Sequence, residues 1–278
     1  MDNRIITASA LTLYRNDLII REKSTATIDK YSRDLRLFAS YLGKTPVSKE
    51  SVIAFKQYLI GAKYAVRSVN SMLASINSFL KFMGWDDSCV KNLRLQKKVY
   101  CTEEKELSKE EYFRLLKAAG SKQINLILQT ICSTGIRVSE LRFFTVEALY
   151  KGEITVDCKS KTRDILVPVK LRKMLLNYAK AEGIKSGPIF LGKTGKPIDR
   201  SRVWALMKQL CEKAGVLSSK VFPHNLRKLF ARTFYKVEKD IAKLADILGH
   251  SSINTTRIYI ISTGREHRQK IERLNLLI

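Results

Sequence analysis

Apolar residues recur three and four positions apart along most of this chain, whereas only one short stretch alternates as a β-strand does. Such spacing places apolar side chains on one face of an α-helix. In the stretch TATIDKYSRDLRLFASYLG this face comprises Ile28, Tyr31, Leu35, Phe38 and Leu42. Gly43 is predicted to end that helix. Helices with one apolar face must pack against each other, so the periodicity predicts a mainly α fold.

Four helices of this kind are predicted in the first 84 residues. Apart from the segment above, their apolar positions are Leu11, Tyr14 and Leu18, then Val52, Phe55 and Leu59, then Val69, Met72, Leu73, Ile76, Leu80 and Met83. We therefore predict a four-helix domain over residues 1–84. The next stretch, WDDSCVKNLRLQKKVYCTEEK, has no such periodicity and carries a loose run of basic residues. Residues 85–105 are accordingly predicted to be a basic linker.

The rest of the chain, residues 106–278, is predicted to combine helices with one small antiparallel sheet. Its first helix lies in LSKEEYFRLLKAAG, where Ser108 and Glu111 have the spacing of a capping box. In GEITVDCKSKTRDILVPV, apolar and polar residues alternate from Ile154, a Lys-Ser-Lys turn follows, and residues 165–169 are predicted to form the second strand. Further helices are predicted near residues 123–133, 169–182, 200–214, 223–237, 240–248, 252–261 and after residue 264. The second domain is thus predicted to be α+β.

The charge of the chain indicates a polyanionic partner. Lys and Arg number 51 against 26 acidic residues, a net charge of +25, and they are spread from Arg4 to Arg273. Neutralising phosphates with Lys and Arg releases counterions and gives an affinity that does not depend on base sequence. Nucleic acid is therefore the leading partner, ahead of a membrane surface or a merely solvated protein surface.

The cysteines and the start of the chain bear on the compartment. The five cysteines are odd in number and no two have Cys-x-x-Cys spacing, which predicts neither a disulfide framework nor a zinc site. The sequence shows no export signal and no apolar stretch long enough to span a membrane. We expect a cytoplasmic protein without a membrane partner.

Two short stretches pair an arginine with a polar residue three positions away. In STGIRVSEL, Gly135 is predicted to end a helix, and Glu140 could orient the guanidinium of Arg137 for bidentate contact with a phosphate. In FPHNLRKLF, His224 and Arg227 project from one helical face. By itself the first pair also fits an ordinary surface ion pair, and a single His-x-x-Arg is weak evidence of a site.

Two further stretches hold lysines or a tyrosine in compact motifs. Lys159 and Lys161 lie in the predicted hairpin turn, where lysines are usually just solvated. In LGHSSINTTRIYI, Gly249 is predicted to end one helix, His250 follows directly, and Tyr259 lies nine positions later. A tyrosine on a helix usually packs in the core, so Tyr259 alone would not indicate a nucleophile.

Together these stretches resemble the catalytic signature of the tyrosine recombinases, also called the phage integrase family. The matching segments are TGIRVSEL, CKSKTRDILVP, HNLRKLFA and LGHSSINTTRIY. The candidate catalytic residues, in the family's order, are Arg137, Lys159, His224, Arg227, His250 and Tyr259. The resemblance covers about residues 105–278 closely, whereas the first domain is similar to the family's core-binding domain only in its helices and its position. It implies a four-helix SAM-like core-binding domain followed by an α+β catalytic domain of the DNA breaking-rejoining fold.

The hairpin turn departs from the family's pattern. Family members often have Gly-Lys-Gly before a further basic residue, whereas this chain has Cys158, Lys159, Ser160 and Lys161. We assign the catalytic lysine to Lys159, because Arg163 then keeps the family's later basic position. Lys161 is the alternative.

The resemblance implies that Tyr259 attacks a DNA phosphodiester and gives a 3′-phosphotyrosyl link and a free 5′-hydroxyl, without a metal, a nucleotide or another cofactor. A free tyrosine is almost fully protonated near neutral pH, so the phenol needs activation. Arg137 and Arg227 would hold the non-bridging oxygens in the transition state. The proton transfers would fall to Lys159 at the leaving oxygen and to His224 at the phenol.

His250 would complete the site by hydrogen bonding to the phosphate. The resemblance further implies a double-stranded DNA recombination site as partner, two domains that close around the duplex, and a homotetramer on two sites that is a monomer or dimer when free. The C-terminal segment TGREHRQKIERLNLLI would pack on its own domain or on a neighbour. Because few residues precede Ala10, we expect the minimal Xer-like architecture. Integration or excision of a mobile element and resolution of chromosome or plasmid dimers both fit it.

Two alternatives stay open at this point. A type IB topoisomerase-like enzyme, which nicks and reseals one duplex, would use a similar site. A relative with a decayed site would be a non-catalytic DNA-binding regulator. The separate helical domain and the LGH spacing favour the recombinase, and the presence of a matching residue at all six catalytic positions argues against decay.

Overall fold

The computed structural model describes residues 4–94, 105–158, 161–260 and 272–274. The chain divides into two compact units, the first ending at Lys97 and the second beginning at Lys98. Both units are mostly helical, as the periodicity predicts, and the described residues contain one two-stranded sheet. None of the helices in the described ranges is long and apolar enough to cross a membrane.

Within residues 4–94, the first unit has the four predicted α-helices. They are α1 (Ala8–Ile20), α2 (Thr25–Leu42), α3 (Lys49–Gly61) and α4 (Val66–Phe82). Gly43, with a φ of +58°, ends α2 as predicted. The apolar faces meet in one core, in which Leu35, Phe38 and Phe55 are almost completely buried. Packing of these faces explains why the spacing of apolar residues was sufficient to predict the helices.

The beginning of the predicted linker is bound to the first unit by two asparagine side chains of α4. The amide of Asn77 donates to the carbonyl of Val90 and accepts from its N–H, at 2.8 and 3.1 Å. Asn70 makes the same pair of hydrogen bonds with Leu93, at 2.9 and 2.8 Å. A side-chain amide can take the place of a backbone hydrogen-bonding partner, so this stretch is held against α4 although it is not helical. Residues 95–104 of the predicted linker lie outside the described residues.

The second unit places its helices around one small sheet. The helices are α5 (Lys109–Ala118), α6 (Lys122–Thr134), α7 (Val146–Lys151), α8 (Val169–Ala181), α9 (Arg200–Ala214), α10 (Pro223–Glu238), α11 (Ile241–Leu248) and α12 (Ile253–Ile260). The predicted capping box starts α5, because Ser108 accepts from the N–H of Glu111 and the Glu111 carboxylate accepts from that of Ser108. The short helix α7 was not predicted. A 3-10 segment, Val138–Phe143, follows Arg137.

The sheet is the predicted antiparallel hairpin, but its second strand lies earlier than expected. Strand β1 (Ile154–Cys158) pairs with β2 (Lys161–Ile165), and Ile154 lies opposite Ile165. The predicted second strand at residues 165–169 was therefore wrong. Pairing the two isoleucines buries both side chains, and Pro168, which has no N–H for a strand ladder, precedes α8 instead.

A separate small apolar cluster forms where α10, α11 and α12 meet. It consists of Ala231, Leu244, Leu248 and Tyr259, with Phe230 and Phe234 packed against it. The predicted helices near residues 223–237, 240–248 and 252–261 are thus confirmed. The helix predicted after residue 264 lies outside the described residues, apart from residues 272–274. The tyrosine motif consequently lies in a cluster of its own, beside the main core.

Candidate active site

Arg137 lies directly beyond a sharp turn at the end of α6. Gly135 ends that helix with a φ of +65°, and a Cβ there would clash with the Phe230 ring. Only glycine meets both conditions without strain. Two residues later, Nη1 of Arg137 donates to Oε1 of Glu140 at 3.0 Å, as the three-residue spacing predicted. The Arg137 side chain is 43% exposed, so guanidinium donors are accessible from solvent.

Glu140 is a fully buried carboxylate that two arginines share. Its second oxygen accepts from Nη2 of Arg163 at 2.5 Å and from the backbone N–H of Arg137 at 2.8 Å. A buried carboxylate needs such partners, because an unpaired charge away from water is costly. One negative charge thus orients two guanidinium groups, one beside the 3-10 segment and one on strand β2.

Three consecutive carbonyls at the end of α11 each accept a hydrogen bond from a different arginine. Ile247 accepts from Arg163 at 2.5 Å, Leu248 accepts from Arg227 at 2.6 Å, and Gly249 accepts from Arg137 at 3.4 Å. The last carbonyls of a helix have no partner within the helix and carry partial negative charge, so they suit cations. The residue that follows these carbonyls is His250, whose position depends on the three arginines.

Arg227 is the most buried of the three arginines, with 1% of its surface exposed. It also donates through Nη1 to the carbonyl of Gly135, and so connects the ends of α6 and α11. Burial, together with the neighbouring Arg137 cation, lowers the pKa of Arg227 to about 10. The guanidinium therefore stays charged at neutral pH. Its buried Nε has no hydrogen-bond partner among the described residues.

His250 is held by hydrogen bonds at both ring nitrogens. Its Nε2 lies 3.0 Å from Nη2 of Arg227, and its Nδ1 lies 2.9 Å from the hydroxyl of Thr256. Burial lowers the pKa of His250 to about 4, and the Arg227, Arg137 and Arg163 cations add to the shift. The imidazole is thus neutral at neutral pH.

Tyr259 lies on α12 between the two histidines and above Arg227. Its ring centroid is 5.0 Å from that of His224 and 4.9 Å from that of His250. The Cζ atom of Arg227 is 5.9 Å from the same centroid. Burial and the cations of Lys228 and Arg227 lower the pKa of His224, so this ring is also neutral and able to accept a proton at neutral pH.

An open pocket of about 560 Å³ lies beside the tyrosine. Arg137, His224, Arg227 and Tyr259 line one part of it. The other part is lined by α9, which contributes Arg200, Ser201 and Trp204. Sequence reasoning missed these three residues, because their positions on an ordinary amphipathic helix carry no signal of a site.

The structure brings five of the six candidate residues together. Arg137, His224, Arg227, His250 and Tyr259 come from three of the four matching segments and converge within one network. The sixth, Lys159, lies outside the described residues. Lys161, the alternative catalytic lysine, begins β2, where its backbone pairs with Cys158. The catalytic roles of all six remain predictions.

Sequence reasoning singled out Glu140 and Arg163 but missed Thr256. Thr256 lies three positions before Tyr259, so helical spacing places the two on one face of α12. That spacing was the only sequence feature that could have connected Thr256 with the site. A threonine at such a position does not by itself indicate a partner, and only the packing of α12 on α11 brings it to His250.

Comparison with known proteins agrees with this fold. Residues 105–265 match the phage integrase family, and residues 11–86 match the phage integrase N-terminal SAM-like domain. The chain is 30% identical over 288 residues to the tyrosine recombinase XerA of Pyrococcus furiosus, an alignment that covers 100% of this chain and 98% of that protein. It is 26% identical over 265 residues to the tyrosine recombinase XerD of Oceanobacillus iheyensis, covering 87% of this chain and 89% of that protein.

A solved structure shows the same fold. The crystal structure of a lambda integrase dimer bound to a COC′ core site superposes with a TM-score of 0.75 over 93% of this chain and 96% of that chain, at 19% identity. With the family match and the XerA relative, this chain belongs to the phage integrase family of tyrosine recombinases, enzymes that cleave and rejoin DNA. It is a site-specific recombinase, and the predicted family, fold class and enzyme class are confirmed.

Proposed function

We propose that this chain recombines double-stranded DNA by attack of Tyr259 on a phosphodiester held by Arg137 and Arg227. The observation that carries the proposal is a cluster of three arginines, two of which share the buried carboxylate of Glu140 while the third, Arg227, lies beside the Tyr259 ring. The cluster holds more positive than negative charge, and an anion between the arginines would compensate the excess. A phosphate diester supplies one negative charge and two oxygens that match guanidinium donors.

The burial of Arg227 makes it suited to stabilise a transition state. Its donors are held by the carbonyls of Gly135 and Leu248, so the cation is oriented before the substrate arrives. A fixed cation in a water-poor site stabilises developing charge without the cost of reorganisation. Arg137 is more exposed and would bind the second non-bridging oxygen from the pocket side.

The two histidines would have different roles in the reaction. His224 contacts the Tyr259 ring and is neutral at neutral pH, which supports its role as the acceptor or relay of the phenol proton. His250 is proposed to hydrogen-bond the phosphate when DNA binds, which requires its Nε2 to exchange the contact with Arg227 for a phosphate oxygen and to carry the ring proton, while the Thr256 hydroxyl donates to Nδ1. Lys159 is proposed to protonate the leaving 5′-oxygen, with Lys161 as the alternative, and such a general acid contributes roughly 10²- to 10⁴-fold.

The partner and assembly belong to the same proposal. The lambda integrase structures include a dimer on a core site and a tetramer on a Holliday junction. We propose that this chain likewise binds a DNA recombination site, is a monomer or dimer when free, and acts as a homotetramer on two sites. The domain boundaries 1–84, 85–105 and 106–278, the cytoplasmic location, and a task in mobile-element transfer or dimer resolution are also part of it.

Covalent capture of DNA tests the proposal. The substrate is a set of nicked suicide duplexes with randomised sequence around the nick, so that no target sequence is assumed. Wild-type protein is expected to form an adduct that survives a denaturing gel, because the short fragment that carries the free 5′-hydroxyl is released at the nick and cannot return to attack the phosphotyrosyl link. Tyr259→Phe is expected to form none.

Tyr150→Phe is the matched control, since Tyr150 is 72% exposed and lies on α7, outside the site. It should form the adduct at the wild-type level. An adduct that persists in Tyr259→Phe, or none with the wild-type protein, would overturn the proposal. Recombinant joints between two recovered duplexes would then separate a recombinase from a topoisomerase-like enzyme that reseals its own strand.

A further inference from the structure

Helix α12 has two buried side chains among its described residues, Thr256 and Tyr259. They lie three positions apart and therefore on one face of the helix. Tyr259 contributes an apolar ring to the small cluster with α10 and α11. Thr256, with 0% exposure, places its hydroxyl 2.9 Å from Nδ1 of His250. The helix that carries the nucleophile is thus bound to the site through one apolar and one polar contact.

The direction of the hydrogen bonds at His250 follows from the chemistry of its partners. A guanidinium has donors and no acceptor, so Nε2 of His250 must accept from Arg227. A neutral imidazole whose Nε2 accepts carries its proton on Nδ1. The Nδ1–H therefore donates to the hydroxyl of Thr256. The chain of contacts runs from Arg227 through His250 to the helix of Tyr259.

We propose that Thr256 is a positioning residue, whose buried hydroxyl accepts the Nδ1–H of His250, selects the tautomer that can accept from Arg227, and so connects the tyrosine helix to the arginine. The inference rests on the proposed role of Arg227 and Tyr259 in strand cleavage. It gives Thr256 no contact with DNA or with the reacting atoms.

Removal of the hydroxyl would break this connection whichever way the imidazole responds. If the proton stays on Nδ1, a buried donor loses its partner. If the proton moves to Nε2, an N–H faces the donors of Arg227, and the contact between His250 and Arg227 is lost. In either case the tyrosine helix and the arginine are no longer held by one set of hydrogen bonds.

Three variants on α12 test the proposal in the full-length chain. Thr256→Val keeps the shape of the side chain and removes the hydroxyl, whereas Thr256→Ser keeps the hydroxyl. Thr255→Val makes the same chemical change at the neighbouring exposed position. The rate of adduct formation on a suicide duplex captured by the wild-type protein should fall about 10- to 100-fold in Thr256→Val, as expected when a buried donor loses its partner.

The rate in Thr256→Ser and Thr255→Val should stay within about threefold of wild type, because both keep the hydroxyl at residue 256. The affinity for the same duplex should change less than about twofold in all three variants, because Thr256 is assigned no DNA contact. A loss of affinity without a loss of cleavage rate would overturn the positioning role. Equal cleavage rates in Thr256→Val and wild type would also overturn it.

Ring nitrogen signals give a readout that needs neither DNA nor activity. The chain has three histidines, and long-range ¹H–¹⁵N correlation distinguishes a protonated from an unprotonated ring nitrogen in each. A spectrum of His250→Gln identifies the signals of His250. In wild-type protein at pH 7 we expect Nδ1 protonated and Nε2 unprotonated, and in Thr256→Val a shift towards the other tautomer.

These outcomes separate the inference from the proposed function. A wild-type His250 protonated on Nε2 would overturn the role of Thr256 even if Tyr259 cleaves DNA. Absence of any covalent adduct in wild type, with the expected tautomer present, would count against the proposed function and remove the cleavage role of Thr256, although its contact with His250 would stand.

Discussion

At the scale of single residues, the site depends on groups that are buried in a defined charge state. Two arginines pair with the buried carboxylate of Glu140, and Arg227 stays charged although it is buried. His250 is neutral, since burial and the cations around it oppose a further positive charge. The site therefore combines fixed cations with neutral imidazoles, a combination that supports the proposed phosphate binding and proton transfer.

The neutral state of His250 predicts a pH dependence of stability. Its folded pKa of about 4 lies below the usual value of roughly 6.5 in an unfolded chain. The contribution of His250 to stability is fully present above the unfolded pKa. It is lost as pH falls towards the folded pKa, because His250 binds a proton in the unfolded chain but not in the folded protein. Between pH 7 and about pH 4.5, the free energy of unfolding should fall by about 2 kcal/mol through this residue.

Urea unfolding of wild type and His250→Gln at the two pH values measures this effect. The chain has two tryptophans, so a Trp85→Phe background leaves Trp204 as a fluorescence reporter in the second unit. Between the two pH values, the free energy of unfolding of His250→Gln should fall by about 2 kcal/mol less than that of wild type, whatever the stability of the variant at pH 7. The same pH dependence in both proteins would mean that His250 is not held neutral.

At the scale of elements, the turn between α11 and α12 decides where His250 and Tyr259 lie. Gly249 ends α11 with a φ of +62°, and its carbonyl accepts from Arg137. Ser252 accepts from the N–H of Asn254 at 3.3 Å and so helps to start α12. A Cβ on Gly249 would lie 2.5 Å from Cδ of Arg163. The turn is thus packed against the arginine network and has no room for a side chain.

Two glycine substitutions separate the cost of the close contact with Arg163 from the cost of the left-handed backbone conformation. Gly195→Ala, at a φ of +72° with nothing within 4 Å of the added Cβ, should cost only the left-handed backbone conformation, about 1 kcal/mol. Gly249→Ala should cost about 2 to 4 kcal/mol, because Arg163 must also move away from Glu140. Its adduct formation should fall as well, whereas that of Gly195→Ala should stay near wild type.

Urea unfolding in the Trp85→Phe background gives both stabilities, and the suicide duplex gives the cleavage rates. If the two variants lose the same stability and Gly249→Ala cleaves at the wild-type rate, then Arg163 can move away from the added Cβ without affecting the site. That result would contradict the dependence of the active site on close packing between the turn and Arg163.

Elements could be predicted from the sequence where local chemistry decides them. The helices α2 and α10 followed from apolar spacing, and the capping box at Ser108 followed from two residue types three positions apart. The second strand of the hairpin could not be placed in this way, because residues 165–169 are the more apolar stretch, whereas β2 (Lys161–Ile165) has a single apolar residue, Ile165. The pairing of Ile154 with Ile165 depends on the core beneath the sheet.

At the scale of the whole molecule, the excess of positive charge predicts a strong dependence of DNA binding on salt. The net charge is +25 and basic residues occur throughout the chain. If about 6 to 10 phosphates are neutralised, affinity should fall by about 10³- to 10⁵-fold between roughly 50 and 200 mM salt. Fluorescence anisotropy with a labelled duplex at a series of salt concentrations measures the slope.

A recovered recombination site and an unrelated duplex serve as the matched pair in that titration. For both duplexes, the logarithm of the affinity should fall steeply with the logarithm of the salt concentration, because the phosphate contribution does not depend on base sequence. A loss of less than about tenfold over this range would show that most basic residues are solvated and do not contact DNA.

The sequence by itself determined the helical periodicity and, through its resemblance to the tyrosine recombinases, the two classes of domain and the six candidate catalytic residues, since that resemblance depends on residue type and on spacing along the chain. The tertiary structure alone decided which groups contact each other. Arg163 and Arg227 reach neighbouring carbonyls of α11, and Thr256 reaches His250, only because α6, α10, α11 and α12 end close together. Hydrogen bonds between distant segments depend on packing geometry, to fractions of an ångström, and spacing along the chain does not encode it.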